Sequence, residues 1–227
     1  MGRRLTSGGG RLESYTKQML RGVQWLHDSG VCHRDIKCSN LLLSLDHEIL
    51  KVSDFGQMKW LTSHSARGLS GSPLWLAPEV IKGELDASGD MSDHCRADVW
   101  SMGCTVVEMV TGSSPWDDVV DSIPQALYRI ATSNSPPPMG VRGSGKSGTS
   151  ANIQKSGGWS ANEEERREDL QVVQSFVDVC CAQSSATRPL PKMLLRHVWL
   201  SKYHQHYHHH QQQQHQQHQQ RQHGGQQ

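Results

Sequence analysis

The spacing of apolar positions predicts a chain that is mainly helical. Apolar residues recur every three or four positions over residues 12–29, which predicts an amphipathic helix ending near Gly30. These positions are Tyr15, Met19, Val23 and Leu26. Residues 98–110 are mostly apolar and numerous enough for a buried helix, with Asp98 near its N-terminus, where a carboxylate favours the helix dipole.

Between these helices the pattern changes to short apolar runs. Residues 41–43 and 49–52 flank a polar turn and predict a small β-hairpin, with Asn40 before it and Asp54 after it. Residues 54–79 are rich in Ser, Thr and Gly and have neither a helical nor a strand period, so we expect a mobile loop.

Composition limits the folded part to one domain. The chain has 227 residues, 35% hydrophobic content and a net charge of +1. We expect a flexible N-terminus over residues 1–10, a low-complexity, disordered insertion from 132 or 133 to 166 and a disordered His/Gln-rich tail over 201–227, which leaves a domain over 11–200. Near-zero net charge gives no reason to propose nucleic acid or a membrane surface as a partner.

The cysteines and the apolar runs indicate the compartment. The six cysteines have neither zinc-type pairs nor the spacing of a secreted disulfide scaffold, so we interpret them as reduced thiols. No apolar run reaches the roughly 20 residues that a membrane-spanning helix needs. We therefore expect a cytoplasmic protein, with the nucleus as the alternative.

Two short motifs carry the candidate chemistry. Residues 33–40 read His-Arg-Asp-Ile-Lys-Cys-Ser-Asn, and residues 54–56 read Asp-Phe-Gly. Transfer of a γ-phosphoryl group needs a carboxylate to accept the hydroxyl proton, and oxygen ligands to hold magnesium. Asp35 supplies the base, and Asn40 and Asp54 supply the ligands.

With these motifs and Ala-Pro-Glu at 77–79, the chain resembles the large C-terminal lobe of a eukaryotic protein kinase. Within that family, residues 15–20, 25–27, 71–79 and 98–105 are similar to the MAP kinase kinase kinases. The resemblance implies a mainly α fold with a small β-hairpin at the cleft and further helices over 123–131, 170–181 and 189–200. It also implies ATP and Mg²⁺ as cofactors and serine or threonine of a protein, such as a downstream kinase, as the substrate.

The resemblance also assigns roles to individual residues. Lys37 contacts the transferred phosphate, and Ser72 bonds Asp35 or Lys37. Arg34 pairs with a phosphorylated residue of the activation loop, and Leu42 lies beneath the adenine ring. The candidate phosphorylation sites are Thr62, Ser63, Ser65 and Ser70. The structural residues are His33 and Phe55, which stack in a column between lobes, Gly56 of the Asp-Phe-Gly motif, Asp98, and Glu79 paired with Arg188.

The family's Gly-rich loop and its phosphate-pairing lysine are not found in this sequence, so we expect a kinase part without the small lobe, inactive as an isolated chain. The alternative is a catalytically inactive, pseudokinase-like scaffold that binds partners through an exposed lobe face or the His/Gln-rich tail. A third possibility, a P-loop ATPase, follows from residues 140–147, which fit the Walker A pattern. The Pro run before them and the Gly/Ser-rich stretch after them leave no strand or helix to support such a loop.

Overall fold

The computed structural model describes residues 9–60, 71–85, 91–117, 120–139 and 163–201, and this part of the chain is mainly helical. None of its helices is both long and apolar enough to cross a membrane. The helices are α1 Gly9–Asp28, α2 Pro78–Lys82, α3 Met91–Thr111, α4 Ile123–Thr132, α5 Glu163–Cys180 and α6 Pro191–Leu194.

Four short strands form two antiparallel pairs. Strand β2 (Leu41–Leu43) pairs with β3 (Leu50–Val52), and Leu42 lies opposite Lys51, which confirms the predicted hairpin. Strand β1 (Val31–Cys32) pairs with β4 (Lys59–Trp60). The pairing of β1 and β4 brings the end of α1 close to the chain that follows the hairpin.

The predicted first helix is confirmed as α1. Met19, Leu20 and Val23 lie on its buried face with no exposed surface. The helix ends where Gly30 adopts a φ of 77°, a left-handed conformation that glycine adopts without strain. The N-terminus was predicted to be flexible up to residue 10, but α1 already includes Gly9, and its first turns bury Leu12 against the core.

Helix α3 lies at the centre of the core. Its side chains Trp100, Met102 and Val106 have no exposed surface. It packs closely on α5, because a Cβ at Gly103 would lie only 2.7 Å from the Cβ of Cys180. The helix begins at Met91, so the predicted position of Asp98 near the helix N-terminus was wrong. Asp98 instead lies in the interior of the helix, 1% exposed.

The structure describes both ends of the segment that was predicted to be a disordered insertion. Met139 is buried, and the backbone of residues 163–166 is already helical in α5. The central part of the insertion, residues 140–162, lies outside the described residues, as do residues 1–8 and the tail from 202.

Two further predictions of secondary structure need correction. The helix predicted over 189–200 is interrupted after Leu194, and the backbone is helical again over residues 198–201. His197 Nδ1 accepts a hydrogen bond from the backbone N–H of Trp199 at 3.3 Å, which caps this second helical segment. The 54–79 segment was predicted to lack regular structure. In its described parts it contains 3₁₀ turns at Phe55–Gln57 and Pro73–Trp75 and strand β4.

Candidate functional site

The loop of residues 33–40 is attached to α3 through one buried carboxylate. Asp98 Oδ2 accepts a hydrogen bond from the backbone N–H of His33, and Oδ1 accepts one from the backbone N–H of Arg34, both at 2.8 Å. Arg34 has a φ of 69°, a conformation that L residues rarely adopt. The carboxylate therefore fixes the backbone that leads into Asp35.

Asp98 is further bound to α1. His27 Nε2 lies 2.8 Å from Asp98 Oδ2. Burial would raise the pKa of Asp98, but the hydrogen bond and charge of His27 and the two backbone N–H groups lower it below the usual value. Burial would lower the pKa of His27, but its interactions with Asp98 and Cys95 raise it to about 9. This pair is a charged contact between α1 and α3.

Asp35 is buried and receives hydrogen bonds from several polar groups. Its Oδ1 accepts from the backbone N–H of Ser72 at 3.0 Å and from the Ser72 hydroxyl at 2.8 Å. Its Oδ2 lies 2.9 Å from Lys37 Nζ and accepts from Asn40 Nδ2 at 3.0 Å. Lys37 Nζ also donates to the Ser72 hydroxyl at 2.6 Å. Residues of two distant segments thus meet around a single carboxylate.

The surroundings of Asp35 keep it ionised. Burial would raise the pKa of Asp35, but the hydrogen bonds from its polar neighbours and the charge of Lys37 lower it below the usual value of an aspartate. The group is therefore an acceptor at neutral pH, as a general base must be.

The two predicted metal ligands lie before and after the hairpin. Asn40 is buried, and its amide N–H₂ donates to the backbone carbonyl of Asp35 at 2.8 Å as well as to its side chain. The carbonyl of Asn40 accepts from the backbone N–H of Ser53 at 2.9 Å, which leads the chain directly to Asp54. Asp54 is exposed, with a φ of 63°, and accepts a hydrogen bond from Gly56 N–H at 3.3 Å. An amide oxygen and an exposed carboxylate are ligands of the kind that Mg²⁺ prefers.

The predicted apolar column is present as a contact between two rings. His33 and Phe55 have ring centroids 5.4 Å apart, and His33 Nε2 lies 3.0 Å from the carbonyl of Ser53. His33 has no exposed surface, whereas Phe55 is 44% exposed and Leu42 is 56% exposed. The partly exposed Phe55 ring therefore directly follows Asp54 in the chain and packs on the buried His33.

Glu79 and Arg188 form the predicted pair. Arg188 Nη1 and Nη2 donate to the two Glu79 carboxylate oxygens at 2.6 and 2.7 Å. The Arg188 guanidinium also donates to three backbone carbonyls and lies 5.0 Å from the centre of the Trp100 ring. The pair is buried and joins the start of α2 to the chain before α6.

Several predicted site residues lie outside the described part of the chain. These are Thr62, Ser63, Ser65 and Ser70, so the partner of Arg34 among them stays a prediction. The Walker A-like residues 140–147 and the His/Gln-rich tail lie outside it as well.

Two residues of α3 bind the backbone of the 33–40 loop and were not predicted from the sequence. Glu108 Oε2 accepts from the backbone N–H of Cys38 at 2.9 Å, and Thr105 Oγ1 donates to the carbonyl of Ile36 at 3.3 Å. The sequence did indicate a special role for both residues, because they are polar residues inside a mostly apolar run. Such residues in a buried helix need partners, and here the loop provides them.

Comparison with known proteins adds independent information. The chain matches the protein kinase domain family over residues 4–200. It is 43% identical to mitogen-activated protein kinase kinase kinase 1 of Arabidopsis thaliana over 122 residues, which cover 54% of this chain and 19% of that protein. It is 30% identical to mitogen-activated protein kinase kinase kinase 5 of the same plant over 190 residues, 83% of this chain and 22% of that protein.

A similar relative comes from outside the plants. The chain is 40% identical to mitogen-activated protein kinase kinase kinase A of Dictyostelium discoideum over 129 residues, 56% of this chain and 13% of that protein. The chain thus spans between 13% and 22% of the lengths of these three relatives.

Proposed function

Because the chain belongs to the eukaryotic protein kinase family and resembles the MAP kinase kinase kinases, we propose that it is the large-lobe part of a serine/threonine kinase. The reaction is transfer of the γ-phosphate of ATP to a serine or threonine of a protein substrate. The observation that carries the proposal is the convergence of Lys37, Asn40 and Ser72 on the buried carboxylate of Asp35.

Asp35 is the proposed general base. Its lowered pKa keeps it ionised, so it can accept the proton of the attacking hydroxyl. Lys37 lies 2.9 Å from it and is placed to contact the phosphate that moves. The Ser72 hydroxyl orients both side chains, because it donates to Asp35 and accepts from Lys37.

Asn40 and Asp54 are the proposed magnesium ligands. Magnesium, when bound, neutralises negative charge on the phosphates and orients them for transfer. The hydrogen bonds from Asn40 to Asp35 connect one proposed metal ligand directly to the proposed base. Leu42, which is exposed on strand β2, is the proposed contact for the adenine ring.

The biological setting is also a proposal. The names of the relatives place those proteins in mitogen-activated protein kinase cascades, which supports a downstream protein kinase as the substrate. Arg34, half-buried next to the base, is the proposed partner of a phosphorylated side chain of the activation loop. We expect the protein to act in the cytoplasm.

The test uses the longest protein that the gene encodes, with Mg²⁺, labelled ATP and myelin basic protein as a general acceptor. Asp35→Asn should lower the rate of transfer by about 10²–10⁴-fold, the usual contribution of a general base. The matched control is Asp178→Asn, an exposed position at which an amide can still accept the 2.7 Å hydrogen bond from Gln174.

Two results would contradict the proposal: an unchanged rate in Asp35→Asn, or label found on tyrosine alone. The 227-residue chain should transfer no phosphate by itself, because positioning by a Gly-rich loop and a paired lysine provides much of the catalysis in kinases. Phosphate transfer by the isolated chain would contradict its expected inactivity, but it would not affect the proposed role of Asp35.

A non-catalytic scaffold is the second candidate. The exposed apolar side chains of Leu42 and Phe55 favour it, because exposed apolar surface, where it is contiguous, is typical of a site that binds another protein. If the scaffold function were correct, the longest gene product would fold and bind its partners but transfer no phosphate, with or without Asp35.

A further inference from the structure

Three potential metal ligands from three different elements meet at one point behind the 33–40 loop. They are His27 of α1, Cys32 of β1 and Cys95 of α3. One ligand atom of each lies within 4.8 Å of those of the other two. The two cysteines are buried, and the His27 side chain is only 5% exposed. None of the three is required by the proposed phosphoryl transfer.

The distances agree with a metal ion more closely than with a disulfide. The sulfur atoms of Cys32 and Cys95 are 3.6 Å apart. Two thiolates bound to a tetrahedral zinc at about 2.3 Å lie about 3.8 Å from each other. A disulfide would require the sulfur atoms to approach to about 2.05 Å. The two sulfur atoms therefore already lie close to the separation that a bound zinc ion requires.

The orientation of His27 is also that of a metal ligand. Its Nε2 is bonded to Asp98 Oδ2 at 2.8 Å, and its Nδ1 is buried with no hydrogen-bond partner among the described residues. In metal sites a ligating histidine usually bonds a carboxylate through its second ring nitrogen. Asp98 fulfils this role here, and it is itself fixed by the loop backbone.

We propose that His27, Cys32 and Cys95 bind one Zn²⁺ ion, with a fourth coordination position left for water. The ion connects α1, β1 and α3 where Asp98 holds the 33–40 loop, so it stabilises the loop without touching the substrate. Metal binding requires both thiols to be deprotonated and the ligating nitrogen of His27 to be free of a proton, so binding releases protons, as is usual for such ligands.

The test is metal binding by the full 227-residue chain purified in a phosphine reductant. Co²⁺ is the probe, because a thiolate-to-cobalt charge-transfer absorption arises only from cysteine ligands. This distinguishes the cluster from the histidines of the tail. One equivalent of Co²⁺ should produce the band, and one equivalent of Zn²⁺ should remove it. Cys95→Ser should abolish the band, whereas the matched control Cys38→Ser, outside the cluster, should keep it.

A second measurement does not depend on the folding of a variant. In the wild-type chain, Zn²⁺ should protect Cys32 and Cys95 from N-ethylmaleimide, and a chelator should remove this protection, as read by peptide mass spectrometry. Labelling of Cys38 should not change. The proposal is overturned if the cobalt band is absent or survives in Cys95→Ser, or if Zn²⁺ gives no protection.

Discussion

Replacing Arg188 by methionine should destabilise the fold by about 3–5 kcal/mol, the usual cost of removing one partner of a buried ion pair. Arg188 is 1% exposed, and all five N–H donors of its guanidinium are used. Two of these donors bind the Glu79 carboxylate and three bind backbone carbonyls. Methionine fills a similar volume but provides none of them.

The expected value lies toward the upper end of that range. Glu79 would remain 7% exposed without its two donors, and desolvating an unpaired carboxylate is expensive. The carbonyls of Ala182, Arg96 and Gln183 would each lose a hydrogen bond as well. Since a domain of this size has a free energy of unfolding of about 5–15 kcal/mol, the loss is a large part of the total.

The assay is equilibrium unfolding in urea, followed by far-UV circular dichroism. Arg129→Met is the matched control, because Arg129 is exposed on α4 and its loss should change the free energy of unfolding by no more than about 0.5 kcal/mol. The double variant Glu79→Leu, Arg188→Met removes both charges together. It should be less destabilised than Arg188→Met alone, because no carboxylate is then left unpaired.

Two results would refute this reasoning. One is a loss below about 1 kcal/mol for Arg188→Met, which would mean that water or another group satisfies Glu79. The other is a double variant whose loss equals the sum of the two single losses, because additive effects indicate residues that do not interact.

Two further predictions concern the site and the core. Ser72→Ala should lower the rate of phosphoryl transfer on the order of tenfold, because it removes one hydrogen bond to the charged Asp35. Ser72→Thr keeps the hydroxyl and should keep the rate. Equal rates in the two variants would contradict the role of the hydroxyl. Gly103→Ala should lower the stability by about 1–3 kcal/mol in thermal unfolding, because its Cβ would lie 2.7 Å from that of Cys180. Gly10→Ala, in an open helical position, is the control and should not destabilise, and an unchanged melting temperature in Gly103→Ala would show that α3 and α5 can separate.

The sequence was sufficient for features encoded by neighbouring residues. The apolar period of α1, its end at Gly30 and the β2–β3 hairpin all depend on local patterns, and all three are present. The pair of Glu79 and Arg188 is separated by 109 residues, yet it was predicted, because the family resemblance supplied what periodicity could not.

Contacts between distant elements were not predicted where the family resemblance gave no information about them. Cysteine spacing gave no indication of the cluster formed by His27, Cys32 and Cys95, because the two cysteines are 63 residues apart and the third member is a histidine of α1. The helix boundaries near residues 91 and 163 were missed for another reason. The first turns of both helices are mostly polar and have no apolar period, so the pattern reveals only their later, buried turns.

The position of Asp98 in the interior of α3 explains how the loop before Asp35 keeps an unfavourable backbone conformation. A left-handed residue such as Arg34 costs about 1–2 kcal/mol relative to the usual conformation. Hydrogen bonds to a charged group contribute about 1.5–3 kcal/mol each, and Asp98 accepts two of them from this stretch of backbone. The sum of these free energies therefore favours the left-handed conformation of Arg34 only while Asp98 is ionised and buried. The hydrogen bond to His27 supports the ionised state of Asp98. The position of the Asp35 carboxylate is thus set by a helix of the core as well as by the loop that carries it.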